Sequence, residues 1–157
     1  MRIILIRHGC FVDWGSNKMF TDDVKDRIER TAEAVAECIK MGIISLENTL
    51  FLSSPREDAV ETAFIVSAHI GLKFKVNDIL VRDQPHEVCQ KIIIPLETEG
   101  KIEMLILLGH ATTVEGVPNW YYYEKDGAEI TIGVDSYHGC GYLFNIERCL
   151  IGGLIVP

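Results

Sequence analysis

The chain lacks cysteines at metal or redox spacing: Cys10, Cys38, Cys89, Cys140 and Cys149 stand far apart and are odd in number. Neither a disulfide framework nor a zinc site follows from that pattern. The five histidines, His8, His69, His86, His110 and His138, form no HxxxH or HExxH pair either. No apolar run approaches the roughly 20 residues needed to span a bilayer, and the opening MRIILIRHG has no secretory cleavage pattern. Basic residues are also in short supply, 15 Lys and Arg against 23 Asp and Glu, a formal net charge of -8. That deficit argues against a sequence-independent grip on nucleic acid, which needs a basic surface. It leaves room for a small phosphorylated ligand in a local basic pocket. The expectation is a reduced, cytoplasmic protein with no membrane or nucleic-acid partner.

What is present is ordinary globular material. Hydrophobic residues make up 48% and charged residues 24%, too apolar for disorder. At 157 residues the chain has the length of one domain, expected over 1–157. No repeat, linker or low-complexity segment divides it.

Short apolar runs alternate with helical spacing. Ile3 to Ile6 form a β-rich run of the kind buried on both faces of a parallel sheet. Residues 10–20 carry no period and read as a loop. Val24, Ile28, Ala32, Val35 and Ile39 then recur at helical spacing, with Thr21 as cap and Gly42 as stop. Leu50 to Leu52 form a second strand, followed by a helix starting near Pro55 and ending at Gly71. Phe74 to Val76 make a short third strand. Residues 80–99 are a loop and a helix interrupted by Pro95. Met104 to Leu108 form a strong strand, and Tyr142–Phe144 with Cys149–Ile151 a closing pair. Strands alternating with helices predict an α/β fold in three layers, a mostly parallel sheet with helices on both faces.

In such sheets ligands bind beyond the carboxyl ends of the strands. Three polar clusters fall there: Arg7-His8-Gly9, Ser53-Ser54-Pro55-Arg56 and Gly109-His110. Two histidines, arginines and glycines that admit close backbone approach suit an oxyanion. His69 and His86 read as solvated or satisfied histidines, Thr112 as a helix cap, and the Trp120–Tyr123 run as helix packing. His138, flanked by Tyr137 and Gly139, is a candidate for the pocket rim.

At these residues the chain resembles the histidine phosphatase, or phosphoglycerate mutase-like, superfamily. Arg7-His8-Gly9 is similar to its first signature, Ser53-Ser54-Pro55 with Ala59-Val60-Glu61-Thr62 to its second, and Leu108-Gly109-His110 to its third. The match runs in order from about Ile3 to Val117. The short length resembles most the SixA-like phosphohistidine phosphatases.

The resemblance implies that neutral His8 attacks phosphorus and becomes phosphohistidine. Arg7 and His110 would hold the non-bridging oxygens, with Gly9 and Arg56 also at the phosphate. Water would then release phosphate, with no metal and no organic cofactor required. The implied partner is a phosphorylated protein or a small phosphate ester.

Three positions depart from the pattern. Asp58 stands where the second motif usually carries arginine, which removes charge-assisted bonds worth roughly 1.5–3 kcal/mol each. Arg56 from the loop, or Arg82, could make up for it. Cys10 replaces a residue that is often acidic. No clear proton donor follows the third strand, where Asp83 and Glu87 are the nearest carboxyls. A phosphatase for phosphohistidine or another labile phosphate tolerates that gap. The alternatives are a small-molecule phosphomonoesterase, which needs Asp83 or Glu87 near His8, and a catalytically weakened relative that binds a phosphorylated partner.

Overall fold

The computed structural model describes residues 1–14, 17–81, 84–127, 137–146 and 150–153. At its centre is a six-stranded sheet in the order β5-β4-β6-β1-β7-β8. The strands are β1 (Arg2–Arg7), β4 (Thr49–Ser53), β5 (Lys75–Val76), β6 (Met104–Gly109), β7 (Gly141–Asn145) and β8 (Leu150–Gly153). The first four strands in spatial order run parallel; β7 is antiparallel to β1, and β8 to β7.

Strand alternation splits the core into two. Ile3 and Leu5 of β1 join Leu105 and Leu107 of β6 on one face, beneath α5 (Ala111–Asp126) and the helical run 85–99. Ile4 and Ile6 join Met104, Ile106 and Leu108 on the other, beneath α1 (Asp22–Lys40) and α2 (Glu57–Ile70). All nine of these side chains are fully buried. Burying each contributes roughly 1.5–3 kcal/mol, which explains why these strands read as unbroken apolar runs. The expected three-layer α/β architecture is what forms.

The helices follow their sequence signals with small differences. Thr21 caps α1, its Oγ1 accepting the Val24 N–H at 3.4 Å, and Val24, Ile28, Ala32 and Val35 line the buried face. The cap at the other end is Met41 rather than Gly42, which lies in the turn beyond at φ +71°. α2 ends at Gly71 as expected, but it starts at Glu57 and not near Pro55; Arg56 is its extended N-cap residue. The helix near residues 80–99 runs as α3 (Pro85–Val88), a π turn (Cys89–Ile93) and α4 (Ile94–Glu99). Pro95 cannot donate an amide bond, and the wider π spacing just before it absorbs the mismatch instead of ending the run.

The loop expected at residues 10–20 is instead a hairpin of β2 (Phe11–Trp14) and β3 (Asn17–Phe20). Its two strands are only four residues each, too short for a visible period. Phe11 stacks on Phe20 at 4.7 Å across the pair. Among the described residues no helix is long and apolar enough to cross a membrane.

Candidate active site

Three neighbouring parallel strands, β4, β6 and β1, end in register. Ser53 pairs with Leu108, and Arg7 with Gly109. The ladder continues one step beyond each strand: the His8 N–H donates to the Gly109 carbonyl at 3.0 Å, and the Ser54 N–H to the Leu108 carbonyl at 2.9 Å. This alignment brings His8, Ser54 and His110 together at the carboxyl end of the sheet. All three are buried polar residues.

The hydrogen bonds fix which ring nitrogens carry protons. The Gly9 carbonyl can only accept, so His8 Nδ1, which contacts it, is protonated. In the neutral ring His8 Nε2 is then the lone-pair nitrogen. It lies 2.9 Å from His110 Nδ1, which must donate to it. His110 Nε2 is then an acceptor, and the Ser54 hydroxyl donates to it across 3.2 Å. Ser54 Oγ in turn accepts the Arg56 N–H at 3.4 Å. One orientation satisfies the chain from end to end.

Burial is the largest influence on the His8 ring and pushes it below the ordinary histidine value. The Gly9 carbonyl and the Asp58 carboxylate pull upward, while His110 and Arg56 push it down again. The net direction favours a neutral imidazole at neutral pH, with its Nε2 lone pair available.

Arg7 reaches the site through His138. Its guanidinium donates to His138 Nε2 at 2.9 Å, and the His138 ring lies 6.0 Å from that of His8. The loop before β7 is pinned for this purpose. The Gly139 N–H donates to the Arg7 carbonyl, the Arg7 N–H to the Cys140 carbonyl, and α1 adds Arg27 Nε to the His138 carbonyl and Thr31 Oγ1 to that of Gly139. A side chain at Gly139, held at φ +82°, would meet Ile28 Cγ1 at 2.9 Å. The bare spacing Tyr137-His138-Gly139 hinted at a rim position; the bond to Arg7 depends on tertiary contacts.

Gly9 and Arg56, expected at the phosphate, each have partners within the site. The Gly9 N–H donates to Thr62 Oγ1 at 3.0 Å, and its carbonyl takes His8 Nδ1. Arg56 donates to Asp58 Oδ2 at 2.9 Å. The Asp58 carboxylate itself is buried and approaches His8 Nδ1 at 3.3 Å. It therefore stands on the Nδ1 side of the ring, and not beside Nε2. An open cleft of about 380 Å³ adjoins it, lined by Cys10, Phe11, Lys18, Arg56, Glu57 and Asp58.

Of the carboxyls considered as proton donors, Glu87 lies on α3 and faces Lys91 at 3.0 Å. Asp83, like Arg82, lies outside the described residues. Among the described residues no group of three or more His, Cys, Asp or Glu side chains has metal-binding geometry. Ser54 and Thr62 are the contributors that sequence reasoning passed over. Both sit inside the second motif, which was the available signal.

No family model matches the chain, and no curated protein matches it. Solved structures do. The protein histidine phosphatase SixA complexed with tungstate is 16% identical with a TM-score of 0.65, covering 98% of this chain and 94% of that one. A putative phosphohistidine phosphatase SixA from Agrobacterium tumefaciens is 13% identical with a TM-score of 0.60, covering 90% and 89%. A phosphoserine phosphatase variant from Entamoeba histolytica in complex with phosphoserine is 10% identical with a TM-score of 0.56, covering 97% and 94%. At such identities the likeness establishes the fold. The structural neighbours thus include SixA-type phosphohistidine phosphatases, as the motif resemblance implied, and a phosphoserine phosphatase.

Proposed function

We propose that this protein is a metal-independent phosphatase that works through a phosphohistidine on His8, with a labile phosphoryl group of the phosphohistidine type as substrate. The observation that carries the reading is the proton order around His8. Nε2 holds a lone pair, and a histidine N–H faces it at 2.9 Å. In the first half-reaction Nε2 attacks phosphorus and the bond to the leaving group breaks, its electron pair departing with that group. The His110 Nδ1–H, released from Nε2, turns to a phosphoryl oxygen, and Arg7 supplies positive charge. In the second half-reaction water attacks phosphorus and the pair returns to Nε2.

The leaving group separates the candidate substrates. A phosphomonoesterase must protonate an alkoxide, which calls for a carboxyl acid at the pocket. Glu87 pairs with Lys91, and the proposed substrate is one with a good leaving group, which needs no such acid. The SixA-type neighbours support the same choice. A phosphorylated protein is the favoured partner, with a small labile phosphate ester as the other form, and the setting proposed is cytoplasmic.

The buried Asp58 carboxylate favours a second reading, a weakened relative that binds a phosphorylated partner, since an anion near the pocket repels phosphate. Two facts lessen that repulsion: Arg56 shares the carboxylate, and the approach is to Nδ1. The deciding measurement is phosphate release from a phosphohistidine-bearing protein, with metal chelated, beside His8→Ala. Release that vanishes in the variant is the expected result. No release from either protein would put the binding reading first.

A further inference from the structure

We infer that Asp58 is a positioning residue for His8: its carboxylate stands beside the Nδ1 proton that the Gly9 carbonyl accepts, and stabilises the positive charge the ring acquires when Nε2 bonds to phosphorus. This deepens the phosphatase reading and rests on it. The carboxylate is a fixed part of the site. Asp58 and His8 side chains are each only 7% exposed, with Oδ2 3.3 Å from Nδ1. Oδ1 accepts the Ala59 N–H at 3.0 Å, one of the unpaired amides of the first helical turn, where negative charge is favoured. Thr62 ties the same turn to the end of β1, donating to the Asp58 carbonyl at 2.7 Å and accepting the Gly9 N–H at 3.0 Å.

The charge balance gives the carboxylate its task. Before reaction the ring is neutral, with a proton on Nδ1 and a lone pair on Nε2. When Nε2 donates that pair to phosphorus and the leaving group departs, the Nδ1 proton stays and the ring becomes cationic. A carboxylate at Nδ1 stabilises that cation where a backbone carbonyl alone offers only a dipole. It also keeps Nδ1 protonated, so the P–N pair returns to a ring that needs electrons. Water then attacks phosphorus, the P–N bond breaks onto Nε2, and both water protons remain with the phosphate released. Arg56 on the same oxygen limits the carboxylate's pull and leaves the proton on the ring.

The charged and titratable groups facing His8 are Asp58 and Arg56 from the start of α2, His110 from the end of β6, and His138 with Arg7 from the loop before β7 and the end of β1. The test compares the full chain with Asp58→Asn and Asp58→Glu. Nitrogen NMR of the His8 ring reads its titration and the site of its proton without requiring turnover. Phosphoramidate then serves as the phosphoryl donor, and the rate of phosphohistidine formation at His8 is followed.

Asp58→Asn is expected to lower the His8 pKa and to slow phosphohistidine formation about tenfold, because the ring gains its positive charge in that step. Asp58→Glu, which keeps the charge, recovers both in part, as a mere folding defect would not. An unchanged His8 titration in Asp58→Asn overturns the inference, and so does an unchanged rate of phosphohistidine formation. If the titration falls but the unaltered protein never takes phosphate at His8, the pairing stands and the phosphatase reading fails.

Discussion

His110 Nδ1 donates to His8 Nε2 across 2.9 Å, so the nitrogen suited to attack phosphorus is held with its lone pair exposed to an N–H donor. The two residues are separated by 102 positions in the chain and meet because β1 and β6 are adjacent and in register. Replacing His110 with alanine should lower kcat for phosphate release about 10²–10³-fold, the loss seen when one oxyanion donor is removed. Because His110 also depresses the His8 pKa, the acid limb of the pH–rate profile should move to higher pH. Steady-state kinetics across pH checks both.

Ser54 sets the His110 tautomer from the other side. Ser54→Ala removes the hydroxyl that donates to Nε2 and lets that nitrogen take the proton instead. A fall of about tenfold in kcat is expected, matching the loss of one hydrogen bond of roughly 1.4 kcal/mol. Ring-nitrogen NMR of His110 should show its proton spread over both nitrogens.

Gly9 is required by space. An added Cβ would stand 2.6 Å from Phe20 Cε1 and 2.8 Å from Ile28 Cδ1. Gly9→Ala should therefore cost about 1–3 kcal/mol of stability through overpacking, read from urea unfolding. The displaced hairpin should also loosen the Gly9 carbonyl that holds His8 Nδ1, so activity falls further than stability explains.

The histidines make stability depend on pH. Burial is the first cause that holds both His8 and His138 below the ordinary value of 6.5. A base with a depressed folded pKa binds fewer protons folded than unfolded. Its contribution is present above the unfolded value and is lost as pH falls from there through the folded value. Tm should drop as pH falls below the ordinary value of 6.5, and His8→Gln should flatten that dependence. Calorimetry of both proteins across that window is the check.

Much of the fold was legible because burial on both faces of a strand leaves a continuous apolar run, as in Ile3–Ile6 and Met104–Leu108. The hairpin at Phe11–Phe20 was not, since its four-residue strands are held by one stacked aromatic pair and no period marks them. The run through Pro95 was misjudged as broken because a π turn leaves no trace in residue type.

What the amino-acid order determined by itself is the six strands of the main sheet, the N-cap of α1 and the C-cap of α2, and the placing of Arg7, His8 and His110 at strand ends. Those follow from local propensity and from apolar period, which act over a few residues. Strand order, the proton order from Arg56 to Gly9, the bond between Arg7 and His138, and the meeting of Asp58 with His8 Nδ1 were decided only by tertiary structure. Each depends on angstrom distances between residues dozens of positions apart, and such distances exist only once the sheet has closed and the helices have docked on it.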